Sequence, residues 1–248
     1  MTISNEQVVF APNLYAQGGQ IIESAAQVAF IESGAFRDNQ NITDIIISDV
    51  VALNGDSNGA GGLDTGTIAI NTLYYLHAIG SSMSLEPSTY MISTSLASPT
   101  LPLGYDTFRW IGVLKTDGSA NFLKCYVSGN GNERFHWWDA TIVVLLNGTE
   151  TTLTAVSLAT AVPAIDNTQV KLSVSFSPAT AADKVSFAPY GSTSTSLPGL
   201  SSTVATKAEI AELNVLSKLN STTPTILYIN SAVSAQTTVL VVGFNYTV

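Results

Sequence analysis

The sequence predicts an all-β fold: antiparallel, jelly-roll-like β-sandwich domains, led by an N-terminal segment that is either an extended arm or a short helix. Three observations predict it. Apolar and polar residues alternate at period 2 over long stretches. The apolar runs are short and β-branched. Clusters of Gly, Pro, Asn and Ser break them at short intervals.

Along the chain, residues 1–40 stand apart. "NLYAQGGQIIESAAQVAFIESGAF" mixes small residues with weak periodicity, which fits an extended arm or a short helix. Residues 41–140 read as a β domain and 141–248 as a second sandwich half or domain. Residues 43–53 ("TDIIISDVVAL") and 67–79 ("TIAINTLYYLHAI") are rich enough in apolar residues to be strands covered on both faces. Pro99 and Pro102 exclude "PTLPLGY" from a central strand, so it is a rigid connection. The strand after it places Phe108, Trp110, Gly112 and Leu114 on one face, and Arg109, Ile111, Val113 and Lys115 on the other. Asp117-Gly118 then turns the chain.

Further on, "QVKLSVSF" (169–176) alternates cleanly, with Val170, Leu172, Val174 and Phe176 inward. The C-terminal strand pattern puts Leu240, Val242, Phe244, Tyr246 and Val248 on one side. Residues 205–219 fit either of two structures. Thr206 and Glu209 form a capping-box pattern and Ile210, Leu213, Leu216 and Leu219 recur near helical spacing, yet a strand fits as well.

Composition bounds the function. Charged residues are 11% of the 248, where about a quarter is usual, and hydrophobic residues are 46%. A surface so poor in charge is weakly protected against association, which points to a subunit of an assembly. The net charge of −9, with no basic stripe, repels a phosphate backbone and argues against nucleic acid. Cys125 is the only cysteine, so no internal disulfide can form. The first residues lack the basic-then-apolar pattern of a secretory signal, and the longest apolar runs are far short of a membrane span. Assembly in a cytoplasm is the expectation, without membrane insertion.

Candidate chemistry is sparse. His77 and His136 lie inside strand patterns and share no motif, Cys125 sits among apolar neighbours, and the carboxylates are scattered at turns. No catalytic residue, and no cofactor, is expected. "LNGDSNGAGGLDTG" (53–66) mimics the first half of a calcium loop through Asn54, Asp56 and Asn58. Thr65 stands where the bidentate Glu belongs, so a Gly-rich turn is favoured. "GNGNERFHWWD" (129–139) is an aromatic cluster around one arginine, suited to a core, a subunit interface or a sugar-stacking surface.

Four stretches carry a family resemblance: "SGAFRDNQNITDI", "NGAGGLDTGTIAINTLYYLHAIG", "SPTLPLGYDTFRWIGVLKTDGSANFL" and "GNGNER". In that order they resemble a widespread group of tailed-bacteriophage proteins of virion-structural, tail-fibre and receptor-binding type. The resemblance spans residues 33–248 and is sharpest from Gly59 to Arg134. It implies a non-enzymatic structural protein displayed on the virion as a capsid decoration or a fibre or spike component. The alternatives are a carbohydrate- or receptor-binding module and, further off, a glycan-cleaving spike. The partners expected are further copies of itself as a homotrimer, other virion proteins of capsid or tail, and a host surface glycan. Tyr105, Arg109, Trp110, Arg134, Trp137 and Trp138 are the residues expected to serve the scaffold or an interface. No ligand-binding residue is assigned.

Overall fold

The computed structural model describes residues 15–129, 131–193, 199–201 and 209–248. Every regular element among them is a β-strand, and every strand pair is antiparallel. Among the described residues, no helix is long and apolar enough to cross a membrane.

Nine strands fill the region from residue 16 to 115, in three small sheets. They are β1 (Ala16–Gly18), β2 (Ile21–Ala25), β3 (Val28–Ile31), β4 (Gly34–Arg37), β5 (Asp44–Ile47), β6 (Val51–Asn54), β7 (Leu73–Gly80), β8 (Thr89–Ser93) and β9 (Thr107–Lys115). The sheet orders are β1-β4-β5, β2-β3-β6 and β8-β7-β9. Residues 16–37 are therefore extended, one of the two forms predicted, and they are folded into the body: Ile21, Ala29, Ile31 and Phe36 are buried. Two expected strands are shorter than their apolar runs. Residues 43–53 split into β5 and β6 around Ser48-Asp49, and each alternates in burial instead of being covered on both faces. The 67–79 run becomes a strand only from Leu73, and from there it is buried on both faces as predicted.

The second half forms β10 (Cys125–Ser128), β11 (Glu133–Gly148), β12 (Thr154–Ser157), β13 (Thr168–Ser177), β14 (Lys184–Pro189), β15 (Gly199–Ser201), β16 (Glu209–Asn220), β17 (Thr223–Asn230) and β18 (Gln236–Thr247). They run β10-β11-β18-β13-β16-β17-β14-β15, with β12 on β17. β16 and β17 pair only over the three residues next to their hairpin, Lys218–Asn220 with Thr225–Thr223. The sheet folds over at that corner, so the inward faces of its two parts pack into a sandwich. Val170, Leu172, Val174, Phe176 and Phe244 from one side meet Val185, Phe187, Ile226 and Tyr228 from the other in one hydrophobic core. That core continues into the first half through Tyr75, Ile111 and Val113.

One open alternative is resolved here and two sequence-based expectations change. First, residues 209–220 are strand. Nine consecutive residues of β16 pair with β13, a cross-strand gain that outweighs the helical spacing of the leucines. Ile210 and Leu216 consequently face outward while Leu213 and Val215 face in. Thr206 lies outside the described residues.

Second, β9 does not alternate throughout. Leu76 pairs with Gly112 but His77 pairs with Trp110, so Ile111 is an extra residue, a β-bulge. The bulge inverts the faces beyond it. Val113 joins Phe108 and Trp110, while Arg109 shares its face with Gly112 and Leu114.

Third, β18 carries the same device at Val242, because Lys171 pairs with Gly243 and Leu172 with Val241. Phe244, Tyr246 and Val248 point inward as expected. Before the bulge the inward residues are Val239 and Val241, not Leu240 and Val242.

Candidate functional site

The motif residues fall largely on the joints of the scaffold. In the 53–66 loop, Asn54 Oδ1 accepts the Asp56 N–H at 3.0 Å and Leu63 N donates to Ser57 O at 2.7 Å, so the loop is held by its own turns. The Asp56 carboxylate faces the side-chain amide of Gln27. The loop is also laid on β8, where Gly61 N donates to Tyr90 O and Ile92 N donates to Gly62 O. Asp64 ties two further segments, accepting from Ser93 Oγ at 2.6 Å and Thr100 N at 3.2 Å. Among the described residues, no three His, Cys, Asp or Glu stand together as a metal-ion site.

The "TLPLGYDTFRWIG" stretch behaves similarly. Tyr105 Oη donates to Pro87 O at 2.9 Å and Trp110 Nε1 to Gly112 O at 2.7 Å, across the bulge. Trp110 is half-buried, edge-on to Tyr75 and tilted over Tyr246. The turn predicted at Asp117-Gly118 is present. Asp117 Oδ1 accepts from both Ser119 N and Asn121 N, although Ala120, not Gly118, takes the left-handed conformation.

Two arginines mark where the small sheets meet the sandwich. Arg109 is 8% exposed; burial opposes its charge, the Asp38 carboxylate favours it and Arg134 opposes it. Asp38, itself buried, belongs to the "RDNQN" stretch and accepts the Ile42 N–H at 2.7 Å. Arg134 is 4% exposed and donates to three backbone carbonyls, Gly18 O at 2.6 Å, Ile111 O at 3.3 Å and Gly19 O at 3.4 Å. Gly18 and Gly19 both have positive φ, and this turn presents their carbonyls to the guanidinium. Burial works against the Arg134 charge, while the phenol oxygens of Tyr246 and Tyr90 favour it.

Groups capable of chemistry are mostly shut away. Burial depresses His136 to about 3 and His77 to about 4, and pushes the Cys125 thiol up to about 12. The His136 ring is stacked on Phe244 and edge-on to Trp138, and neither ring nitrogen has a hydrogen-bond partner. Trp138 is buried, with Nε1 donating to Ala161 O at 3.0 Å.

The outer face of β10-β11-β18-β13-β16 is one of the surfaces that carry partly exposed aromatic residues. Register places Ser128, Phe135, Asn245 and Gln169 in one row, and Tyr126, Trp137, Gly243 and Lys171 in the next. Lys171 Nζ lies 4.3 Å from the Trp137 ring centroid and 2.8 Å from Glu212 Oε2. Phe135 and Trp137 are 4.5 Å apart, tilted by 55°. At the strand ends this face runs into a cleft of about 440 Å³, lined by Glu133, Asp166, Asn167, Gln169 and Thr247 among others. Of this surface, sequence reasoning singled out the 129–139 cluster, with Phe135 and Trp137 on the sheet and Arg134 at the cleft. The surface's other members were visible as the polar phase of the 169–176 alternation.

The chain matches no known family model, and no curated protein sequence matches it.

Proposed function

We propose that the chain is a non-enzymatic structural protein of a tailed-phage virion, displayed on the particle as a capsid decoration or as a component of a fibre or spike. One observation carries the reading: the residues on which the resemblance rests serve the scaffold. Asp38, Asp64, Tyr105, Trp110 and Arg134 bond to backbone groups of other turns and strands, or of their own. Stretches used in that way preserve a shape, as a building block requires, and do not converge on a reaction centre. The all-β architecture and the low charge suit a subunit that is covered by neighbours.

Quantitative mass spectrometry of purified virions tests this. A copy number near that of the major capsid protein means decoration, and a few tens of copies means fibre or spike. Absence from purified particles overturns the proposal.

A further inference from the structure

We infer that the free edge of β5 is a docking site for the same strand of a second copy of this chain, paired antiparallel about a two-fold axis at Ile46. This goes beyond the structural role proposed above, because it names a surface, a partner and a register.

The backbone of β5 is open on one side. β4 lies between β1 and β5 and alternates its hydrogen bonds between them. Arg37 N donates to Tyr15 O and Gly19 N to Ser33 O on the β1 side, while Asp38 N donates to Thr43 O on the β5 side. The same alternation assigns Ile45 and Ile47 to β4 and turns the N–H and C=O groups of Asp44, Ile46 and Ser48 away from it. Among the described residues, β5 has a strand on that one side only. The other small sheets close their edges. The 53–66 loop lies along β6 and β8, with Asn54 N donating to Gly61 O, Gly61 N to Tyr90 O and Asp64 N to Ile92 O. β5 also lacks the usual guards of an open edge: it carries no Pro, no Lys and no bulge. Its one charge, Asp44, is turned back onto Arg37 at 2.6 Å.

The side chains select a copy of the same strand. Ile42, Asp44, Ile46, Ser48 and Val50 alternate apolar and polar, and the pattern reads the same in either direction. Setting Ile46 against the second copy's Ile46 puts Asp44 opposite the second copy's Ser48 and brings Ile42 to the end where Val50 lies. Ile42, Ile46 and Val50 are exposed at 68%, 62% and 54%, so aliphatic surface now in water is matched with aliphatic surface. The Ser48 hydroxyl meets the Asp44 carboxylate, and no like charges are opposed. This register also lets Asp44, Ile46 and Ser48 exchange their outward backbone hydrogen bonds, because alternate pairs of an antiparallel ladder are the bonded ones. A slip by one residue loses both matches. The contact is short and therefore weak. Being two-fold, it closes on itself and joins two assemblies without spreading into a fibre.

The test uses the purified full chain. Sedimentation equilibrium from micromolar to about millimolar concentration should show the mass doubling. Over the same range, amide exchange at Asp44, Ile46 and Ser48 should slow, while Ile45 and Ile47, bonded to β4, stay slow throughout. Ile46→Lys sets two like charges against each other on the axis and should abolish the doubling, as should Ile46→Asp, with melting temperatures unchanged at this exposed position. An equimolar mixture of the two variants should restore it. The inference is overturned if the parent mass does not double, if both variants still double, or if their mixture does not recover. It is equally overturned if the three outward amides are already slow at the lowest concentration, since the edge is then covered within one copy. None of these outcomes bears on the virion copy number.

Discussion

At the scale of single residues, the molecule's polar interior sits where the small sheets join the sandwich. Arg134 satisfies carbonyls from two separate segments, so its loss strands several buried acceptors at once. Unsatisfied buried groups cost roughly 1–3 kcal/mol each, so Arg134→Met should lower stability by about 3 kcal/mol or more in urea unfolding. Arg134→Lys should recover only a fraction, because a point charge cannot span the three carbonyls. Arg109→Ala should destabilise for a related reason, leaving the buried Asp38 carboxylate without its cation, and Arg109→Lys should rescue in part. If Arg109→Ala melts and assembles like the parent, the structural account of that residue is wrong.

The buried histidines give a pH signature. Both pKa values are depressed, so the unfolded chain takes up protons from about pH 6.5 downward while the folded chain resists. Stability is therefore full above pH 6.5 and drains as pH falls toward about 4 for His77 and about 3 for His136. Asp117 and Asp183, held low by hydrogen bonds, lose their contribution only below the ordinary aspartate range. Melting temperatures between pH 6.5 and 4.5 thus isolate the histidines. His136→Phe, which removes no hydrogen bond from a ring-lined site, should flatten that slope; an unchanged slope would contradict the assignment.

At the scale of elements, the two β-bulges explain what the sequence displayed and what it hid. Strand existence was legible because β-branched runs and turn residues are local signals: 169–176 alternates in the structure as it does on paper, and Pro99 and Pro102 lie outside strands. The phase of β9 and β18 was not legible. A bulge at Ile111 or Val242 arises from what the partner strand demands, and nothing local marks it. The same holds for β16, whose leucine spacing is helical while its nine-residue ladder with β13 is not.

The candidate site was hidden for the same reason. Trp137, Lys171 and Asn245 are far apart in sequence and become neighbours only through register. Gly243 tests this level directly. An added Cβ would meet the backbone oxygen of His136, which cannot yield as a flexible side chain can, so Gly243→Ala should cost on the order of 3 kcal/mol. A neutral Gly243→Ala would show that the β11–β18 ladder is looser than described.

At the scale of the whole molecule, the outer face of the large sheet divides in two. Toward the cleft it is aromatic and amide-bearing. Beyond the bulges Val143, Leu146 and Ile210 are exposed at 52%, 69% and 74%, half-buried Leu240 is paired to Val143, and Ser173, Ser175 and Glu212 stand between them. Water-exposed aliphatic side chains on this sheet, in a chain with 11% charged residues, favour burial against further copies of the chain. Three-fold assembly is the expected form, with the apolar half covered and the aromatic half left to solvent. Light scattering at micromolar concentration should give a stable oligomer, and the trimer mass is the value predicted. Leu146→Asp combined with Ile210→Asp should yield a folded monomer, since each position is exposed and neither supports the core. A parent protein that is already monomeric would defeat the prediction. So would a double variant that keeps the parent mass, which would move the contact to another face.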